Sequence, residues 1–229
     1  MPCRQIVLGR DKMDYIRGLP HKLLAFERFL SDHPEWRDKI VLVQVAQATP
    51  AVPGQEDRTP RSSTFATGRF AIADQRRLEL QVAEIAARIN SQYGSLSFTP
   101  VQLVHVRGWL SAGEGAHSGR MAHRRFDSVG FGCHRVSAQS VDWAEMYALL
   151  SVADVCLVTS IRDGMNLTAH EFVVCQQEKM SPVILSEFTG TAGCFSSALL
   201  INPWNHQARL RCESIRPERW PPANAQTNG

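Results

Sequence analysis

The chain has 229 residues, 44% of them hydrophobic and 21% charged, which is ordinary for a soluble globular protein with room for one large or two small domains. A net charge of +3, carried mostly by scattered arginines, is too small to point to nucleic acid. No apolar run reaches the length of a membrane span, the start MPCRQIVLGRDK lacks the apolar core of a signal peptide, and six cysteines without a C-x-x-C pair fit a reducing cytoplasm better than a disulfide framework.

In chain order, residues 5–8 read as a short apolar strand and residues 9–18 as a polar, basic loop. Leu19-Pro20 then opens a helix with Leu19, Leu23, Phe26 and Leu30 on one face and Pro34 just past its end. Residues 39–46 are apolar and nearly continuous, as in a parallel strand covered on both faces. Residues 77–92 predict a helix with Leu78, Val82, Ile85 and Ile89 inward, and residues 100–106 a strand. Ser140 is placed to cap a helix with Trp143, Tyr147 and Leu150 inward, followed by a strand over 153–159. Met165 to about Lys179 reads as helix, 182–186 as strand, 187–193 as a turn or glycine-rich loop, and 198–202 as the last strand.

Two stretches, about 49–76 and 107–139, carry no apolar period and read as irregular insertions, long loop or disordered. Their abrupt edges invite the reading that they are translated non-coding sequence. Residues 206–229 read as a disordered tail. Six strands alternating with four helices predict an α/β fold, a Rossmann-like parallel sheet with helices on both faces, in one domain over residues 1–205.

The segment most suited to chemistry is IRDGMNLTAHEF, residues 161–172, between a buried strand and a helix start. In a parallel sheet this is the carboxyl edge, where open α/β folds bind ligands. Gly164 permits close backbone approach or a positive φ, and the amides of Met165, Asn166 and Leu167 are placed as unpaired helix-start donors for phosphate or sugar oxygens. Asp163 and Glu171, eight residues apart, are expected on roughly one helical face. Spacing alone leaves open that Asp163 is only an N-cap and Glu171 only a solvated helix residue.

Five ordered blocks carry a resemblance: KMDYIRGLP (12–20), RINSQYG (88–94), DVCLVTSIRDGMNL (154–167), LSEFTG (185–190) and INPW (201–204). In these the chain resembles the trehalose-6-phosphate synthase family, retaining glycosyltransferases of the two-Rossmann-domain GT-B type. The resemblance covers about residues 1–48, 77–106 and 140–205, and corresponds to most of the C-terminal, donor-binding half. It implies a UDP-glucose donor, transfer of glucose to glucose 6-phosphate, trehalose biosynthesis, and no metal or other cofactor. It implies that Lys12 and Arg17 grip the diphosphate. Asp163 and the amides of Gly164, Met165, Asn166 and Leu167 would hold glucose and phosphate, and Glu171 the ribose hydroxyls. His105, at the end of its strand, is expected on the same sheet edge, within reach of the glucose or in a loop-side hydrogen bond.

Three departures qualify this. Acceptor contacts to glucose 6-phosphate would come from a domain supplied elsewhere. The Arg that follows the second strand in active members is replaced by Gln47-Ala-Thr-Pro50. The start Gly9-Arg10-Asp11-Lys12 is closer to the synthase-like domain of trehalose-phosphate phosphatases and regulatory subunits. A catalytically idle domain serving assembly with other subunits of a trehalose complex is therefore the alternative. His117, His123 and His134 lack the spacing of a zinc site, His170 is expected to face solvent, and Trp36, Trp143 and Trp204 to pack in the core or at its rim.

Overall fold

A computed structural model describes residues 4–47, 67–106 and 143–204, without the side chains of residues 67–75 and of His105. Most of both irregular stretches, Ser140 and the tail lie outside the described residues. The strands are β1 (Gln5–Lys12), β2 (Ile40–Gln47), β3 (Val101–Val106), β4 (Val155–Val158), β5 (Val183–Ser186) and β6 (Leu199–Ile201). They form one sheet in the order β3-β2-β1-β4-β5-β6, every neighbouring pair parallel. The helices are α1 (Leu19–Asp32), α2 (Thr67–Tyr93), α3 (Trp143–Val152) and α4 (Leu167–Cys175). This is the Rossmann-like α/β architecture expected from the alternation of elements.

Strand side chains alternate between two apolar layers. Val7, Leu42, Leu103, Val155, Leu157 and Ile184 pack with Leu19, Leu23, Phe26 and Leu30 of α1 and Leu78, Val82, Ile85 and Ile89 of α2. Leu8, Val43, Cys156, Val158 and Leu185 pack on the other face with Met146 and Leu150 of α3 and Ala169 and Phe172 of α4. The periodic positions read from the sequence in α1 and α2 are thus buried.

Several boundaries differ from the sequence reading, each for a physical reason. β1 does not end at Leu8 but runs to Lys12, because it pairs with β2 over its whole length, from Gln5↔Ile40 to Lys12↔Gln47. The polar residues that look like loop are accommodated there by partners: Asp11 is buried and bonds to Lys22 and Gln44. α2 begins at Thr67, ten residues before the expected start, since no proline and only Gly68 interrupts residues 67–76. In α3 the inward residues are Met146 and Leu150, while Tyr147 is exposed and Trp143 half-buried, the two rings stacked 6.0 Å apart. α4 starts at Leu167 after an extended Asn166, and ends at Cys175 because Gln176 turns its side-chain amide onto the carbonyls of Leu150, Ser151 and Ala153. His170 is not turned to solvent: it is half-buried, with its ring 4.8 Å from that of Phe195. Trp36 packs against the α1 face of the core, and Trp204 lies exposed at the rim, its ring 5.6 Å from that of His21.

Candidate functional site

The order of the sheet places β1 beside β4, the point at which successive strands switch sides. Open α/β sheets bind ligands outside the carboxyl ends of such strands. β1 and β4 pair only through Val7↔Val155 and Leu8↔Cys156, so β1 continues four residues beyond the last paired position, and the crevice of this switch point lies at the carboxyl ends of the two strands.

The turn after β1 is fastened to the end of β4. Asp14 caps the 3-10 turn Tyr15–Arg17 by accepting from the Ile16 amide. Gly18 closes it at φ 69°, and a Cβ there would stand 2.2 Å from the Thr159 carbonyl oxygen, so only glycine fits. The Ile161 amide donates to the Ile16 carbonyl at 2.8 Å, and Thr159 Oγ1 to the Gly18 carbonyl at 3.3 Å. This suture puts Arg17 against Asp163, with Arg17 Nη1 donating to Asp163 Oδ2.

The Asp163–Asn166 turn is held from its other side by the loop after β5. The Asp163 amide donates to the Phe188 carbonyl at 3.3 Å, the Gly190 amide to the Asp163 carbonyl at 3.2 Å, and the Thr191 amide to the Gly164 carbonyl at 3.3 Å. Asn166 is buried and is the N-cap of α4: its Oδ1 accepts from the Ala169 amide at 3.0 Å, and its Nδ2 donates to Asp163 Oδ2 at 2.9 Å. Asp163 is therefore a fixed acceptor, oriented by Arg17 and Asn166 rather than itself capping the helix.

The expected site residues fall as follows. Lys12 is exposed at the last position of β1 and has no ion pair among the described residues. Arg17 and Asp163 meet. Gly164 has no positive φ; a Cβ would meet nothing within 4 Å, so the turn's backbone faces open space. Met165 and Leu167 are 68% and 63% exposed, and their amides have no hydrogen-bond partner among the described residues. The Asn166 amide is not a free donor, because it donates to Thr191 Oγ1 at 2.7 Å. Glu171 lies on α4 and Asp163 outside it, so they do not share a helical face; the sheet edge, not helical spacing, brings both to the crevice. Glu171 pairs with Arg10 of β1. His105 sits on the same sheet edge, opposite Ala46, but three strand positions from β4, roughly 14 Å across the sheet; its side chain lies outside the described residues.

Two participants escaped the sequence reading, Arg10 and Thr191. Arg10 sits in the polar half of β1, whose composition is that of a loop. Thr191 lies in the loop read only as glycine-rich, and nothing local ties it to Asn166, twenty-five residues away. Near the site, burial, and after it the charge of Glu171, pushes the Cys175 thiol above its ordinary range. Among the described residues, no group of three or more His, Cys, Asp or Glu is placed to hold a metal ion.

The edge thus offers three cations from one strand and its turn, Arg10, Lys12 and Arg17, two oriented carboxylates, and a helix start with open amides. Such a set suits a ligand with both anionic phosphate and hydroxyl groups. The sequence profile of glycosyltransferase family 20 matches residues 2–108 and 124–213. The matched span runs through 49–76 and includes 124–139, so it is wider than the blocks alone mark out and does not set the first irregular stretch apart. An alpha,alpha-trehalose-phosphate synthase [UDP-forming] of Yarrowia lipolytica is 39% identical over 201 residues, 88% of this chain and 32% of that protein. The 56 kDa subunit of the Saccharomyces cerevisiae synthase is 37% identical, again over 88% of this chain and 30% of its own length. The chain therefore spans about a third of the length of these relatives. Among solved structures, the N-terminal domain of Candida albicans trehalose-6-phosphate phosphatase matches at 34% identity and a TM-score of 0.64, covering 93% of this chain and 33% of that one. A UDP-forming synthase from Burkholderia xenovorans matches at 26% and 0.65, covering 95% and 36%.

Proposed function

This chain belongs to glycosyltransferase family 20, and on that footing we propose that it is the donor-binding part of a UDP-forming trehalose-phosphate synthase. The complete protein would transfer glucose from UDP-glucose to glucose 6-phosphate, in trehalose biosynthesis. The observation that carries the reading is the Arg17–Asp163 pair beside the open start of α4, with Lys12 at the end of the neighbouring strand.

The chemistry follows from that arrangement. The leaving group is a nucleoside diphosphate, and negative charge grows on it as the glycosidic bond breaks. Arg17 and the amides of Met165 and Leu167 stabilise that charge from positions fixed before reaction, and Lys12 adds a mobile charge from the end of β1. Lys12 acts as a point charge, whereas Arg17 brings a guanidinium fork. Asp163 accepts from glucose hydroxyls, and Glu171 from the ribose. The resemblance implies a front-face, ion-pair-like route in which the departing phosphate helps to deprotonate the acceptor, so no enzyme nucleophile is needed. Contacts to glucose 6-phosphate are assigned to the part of the relatives' length that this chain does not span.

The alternative, a catalytically idle domain that serves assembly, draws support from the likeness to the phosphatase N-terminal domain and from Gln47 at the end of β2. The two relatives compared above are synthases, and they favour the first reading.

Calorimetric titration of the 229-residue chain with UDP and UDP-glucose tests the proposal. Binding is expected, weakened about tenfold or more in Lys12→Ala and in Asp163→Ala, the scale of one lost charged hydrogen bond. A folded chain that binds neither ligand would overturn it.

A further inference from the structure

The proposed function leaves Arg10 without a role, although it is among the most constrained side chains of the crevice. Its Nη1 donates to Glu171 Oε2. Its guanidinium carbon lies 5.9 Å from the centroid of the Trp143 ring. Its carbonyl accepts from Thr168 Oγ1 at 3.4 Å, one helical turn before Glu171. The Arg10 side chain is 14% exposed and that of Glu171 28%, so the guanidinium lies deeper and the carboxylate nearer the solvent. A ligand entering the crevice reaches the carboxylate without displacing the arginine. Only one carboxylate oxygen is engaged; Glu171 Oε1 has no hydrogen-bond partner among the described residues. An ionised carboxylate has about four lone-pair sites, so the single guanidinium contact leaves capacity for a vicinal diol.

We propose that Arg10 is a positioning residue that fixes Glu171 to accept the hydroxyls of a nucleotide ribose, and that this pair selects ribo- over 2′-deoxyribonucleoside diphosphates. The inference rests on the reading of Glu171 as the ribose acceptor. A free glutamate has three rotors to restrict when it binds. One held from beneath by a guanidinium has already lost most of that freedom, and its hydrogen bonds to the diol are correspondingly stronger.

Titration of the full chain with UDP and with 2′-deoxy-UDP, beside Arg10→Leu, Arg10→Lys and Glu171→Gln, tests this. The unaltered chain is expected to prefer UDP about tenfold, the scale of one charged hydrogen bond. Arg10→Leu should lose most of that preference while its affinity for 2′-deoxy-UDP changes little, and Arg10→Lys should restore part of it. A residue of merely structural importance would weaken both ligands alike, and that result overturns the inference. So does tighter UDP binding in Arg10→Leu, which would make the arginine a competitor of the ribose. If Glu171→Gln leaves the preference intact, or the unaltered chain shows none, the ribose reading itself fails and takes the inference with it. If Glu171→Gln abolishes the preference and Arg10→Leu keeps it, the inference alone fails. Should Arg10→Leu not fold, Arg10→Lys decides: a reduced preference supports the inference and an undiminished one overturns it.

Discussion

Three successive residues of β1, Arg10, Asp11 and Lys12, meet two different environments. Asp11 turns into the protein, where the Lys22 ammonium, 0% exposed, and the Gln44 amide bond to it. Arg10 and Lys12 lie toward the crevice, one pairing with a mostly buried carboxylate and the other exposed. Two-residue alternation assigns the charges of one strand to separate roles. The inner pair is shielded from solvent and salt and fastens α1 to β1 and β2. The edge charges remain available to a ligand. Gly9 belongs with the inner pair, since a Cβ on it would stand 2.2 Å from Gln44 Oε1 and 2.6 Å from Lys22 Nζ. The same types of residue are therefore structural at one position and ligand-directed at the next, and burial decides which.

Breaking the inner pair should have the largest effect. Lys22→Met leaves the buried Asp11 carboxyl without its ammonium partner inside the sheet, and is expected to cost about 3–5 kcal/mol, read as a lower midpoint in urea unfolding. Removing both charges, in Asp11→Leu with Lys22→Met, should recover most of that loss, because the desolvation cost of both ions disappears with them. A double variant as unstable as the single one would show that the pair contributes more than its charge balance.

Gly18→Ala should act on both regions at once, with a smaller effect on stability. Alanine at φ 69° against the Thr159 carbonyl oxygen is expected to cost about 1–3 kcal/mol. The turn can relieve the strain only by lifting off the end of β4, which carries Arg17 away from Asp163. UDP affinity measured well below the unfolding midpoint should therefore fall. Unchanged affinity in a destabilised but folded variant would separate the suture from the site.

The contrast between inner and edge charges also explains what the sequence could reveal. Helices α1 and α2 were legible because their apolar positions repeat at helical spacing and face one layer. The sheet was legible because its strands are nearly continuous apolar runs between helices. The second half of β1 is not legible because Arg10, Asp11 and Lys12 carry the composition of a loop; Lys22 and Gln44, which make the strand possible, are 11 and 33 residues from Asp11. The Asp163–Asn166 turn was located from its place between strand and helix, but not its internal bonding. The hold of Thr191 on Asn166 and of Arg10 on Glu171 depends on strand order, which brings β1 and the loop after β5 to opposite sides of one turn. Tyr147 at helical spacing has the look of a core aromatic, but Met146 takes that place.

Cys156 gives the smallest effect at neutral pH and senses the charges of the inner pair from the other face of the sheet. It lies in β4 opposite Leu8 and is fully buried, and burial pushes its thiol from 9.0 to about 12; Lys22 lowers it and Asp11 raises it, two opposed influences smaller than that of burial. The folded chain thus holds the proton more tightly than the unfolded one. The resulting stabilisation is fully present below pH 9 and is lost as pH rises from 9 towards about 12, where the folded thiol also ionises. Cys156→Val, which keeps an apolar side chain of similar size at that position, should show a shallower alkaline fall in stability than the unaltered chain across this window, and little difference at pH 7. Lys22→Met should carry the fall to higher pH, since Asp11 then raises the thiol further with nothing to oppose it. Equal alkaline slopes for the unaltered chain and Cys156→Val would mean that the thiol ionises in the folded state as it does in the unfolded one. The apolar layer across the sheet from the Asp11–Lys22 pair would then be polar enough to hold a free charge, and burial alone would not separate the inner from the edge ion pairs.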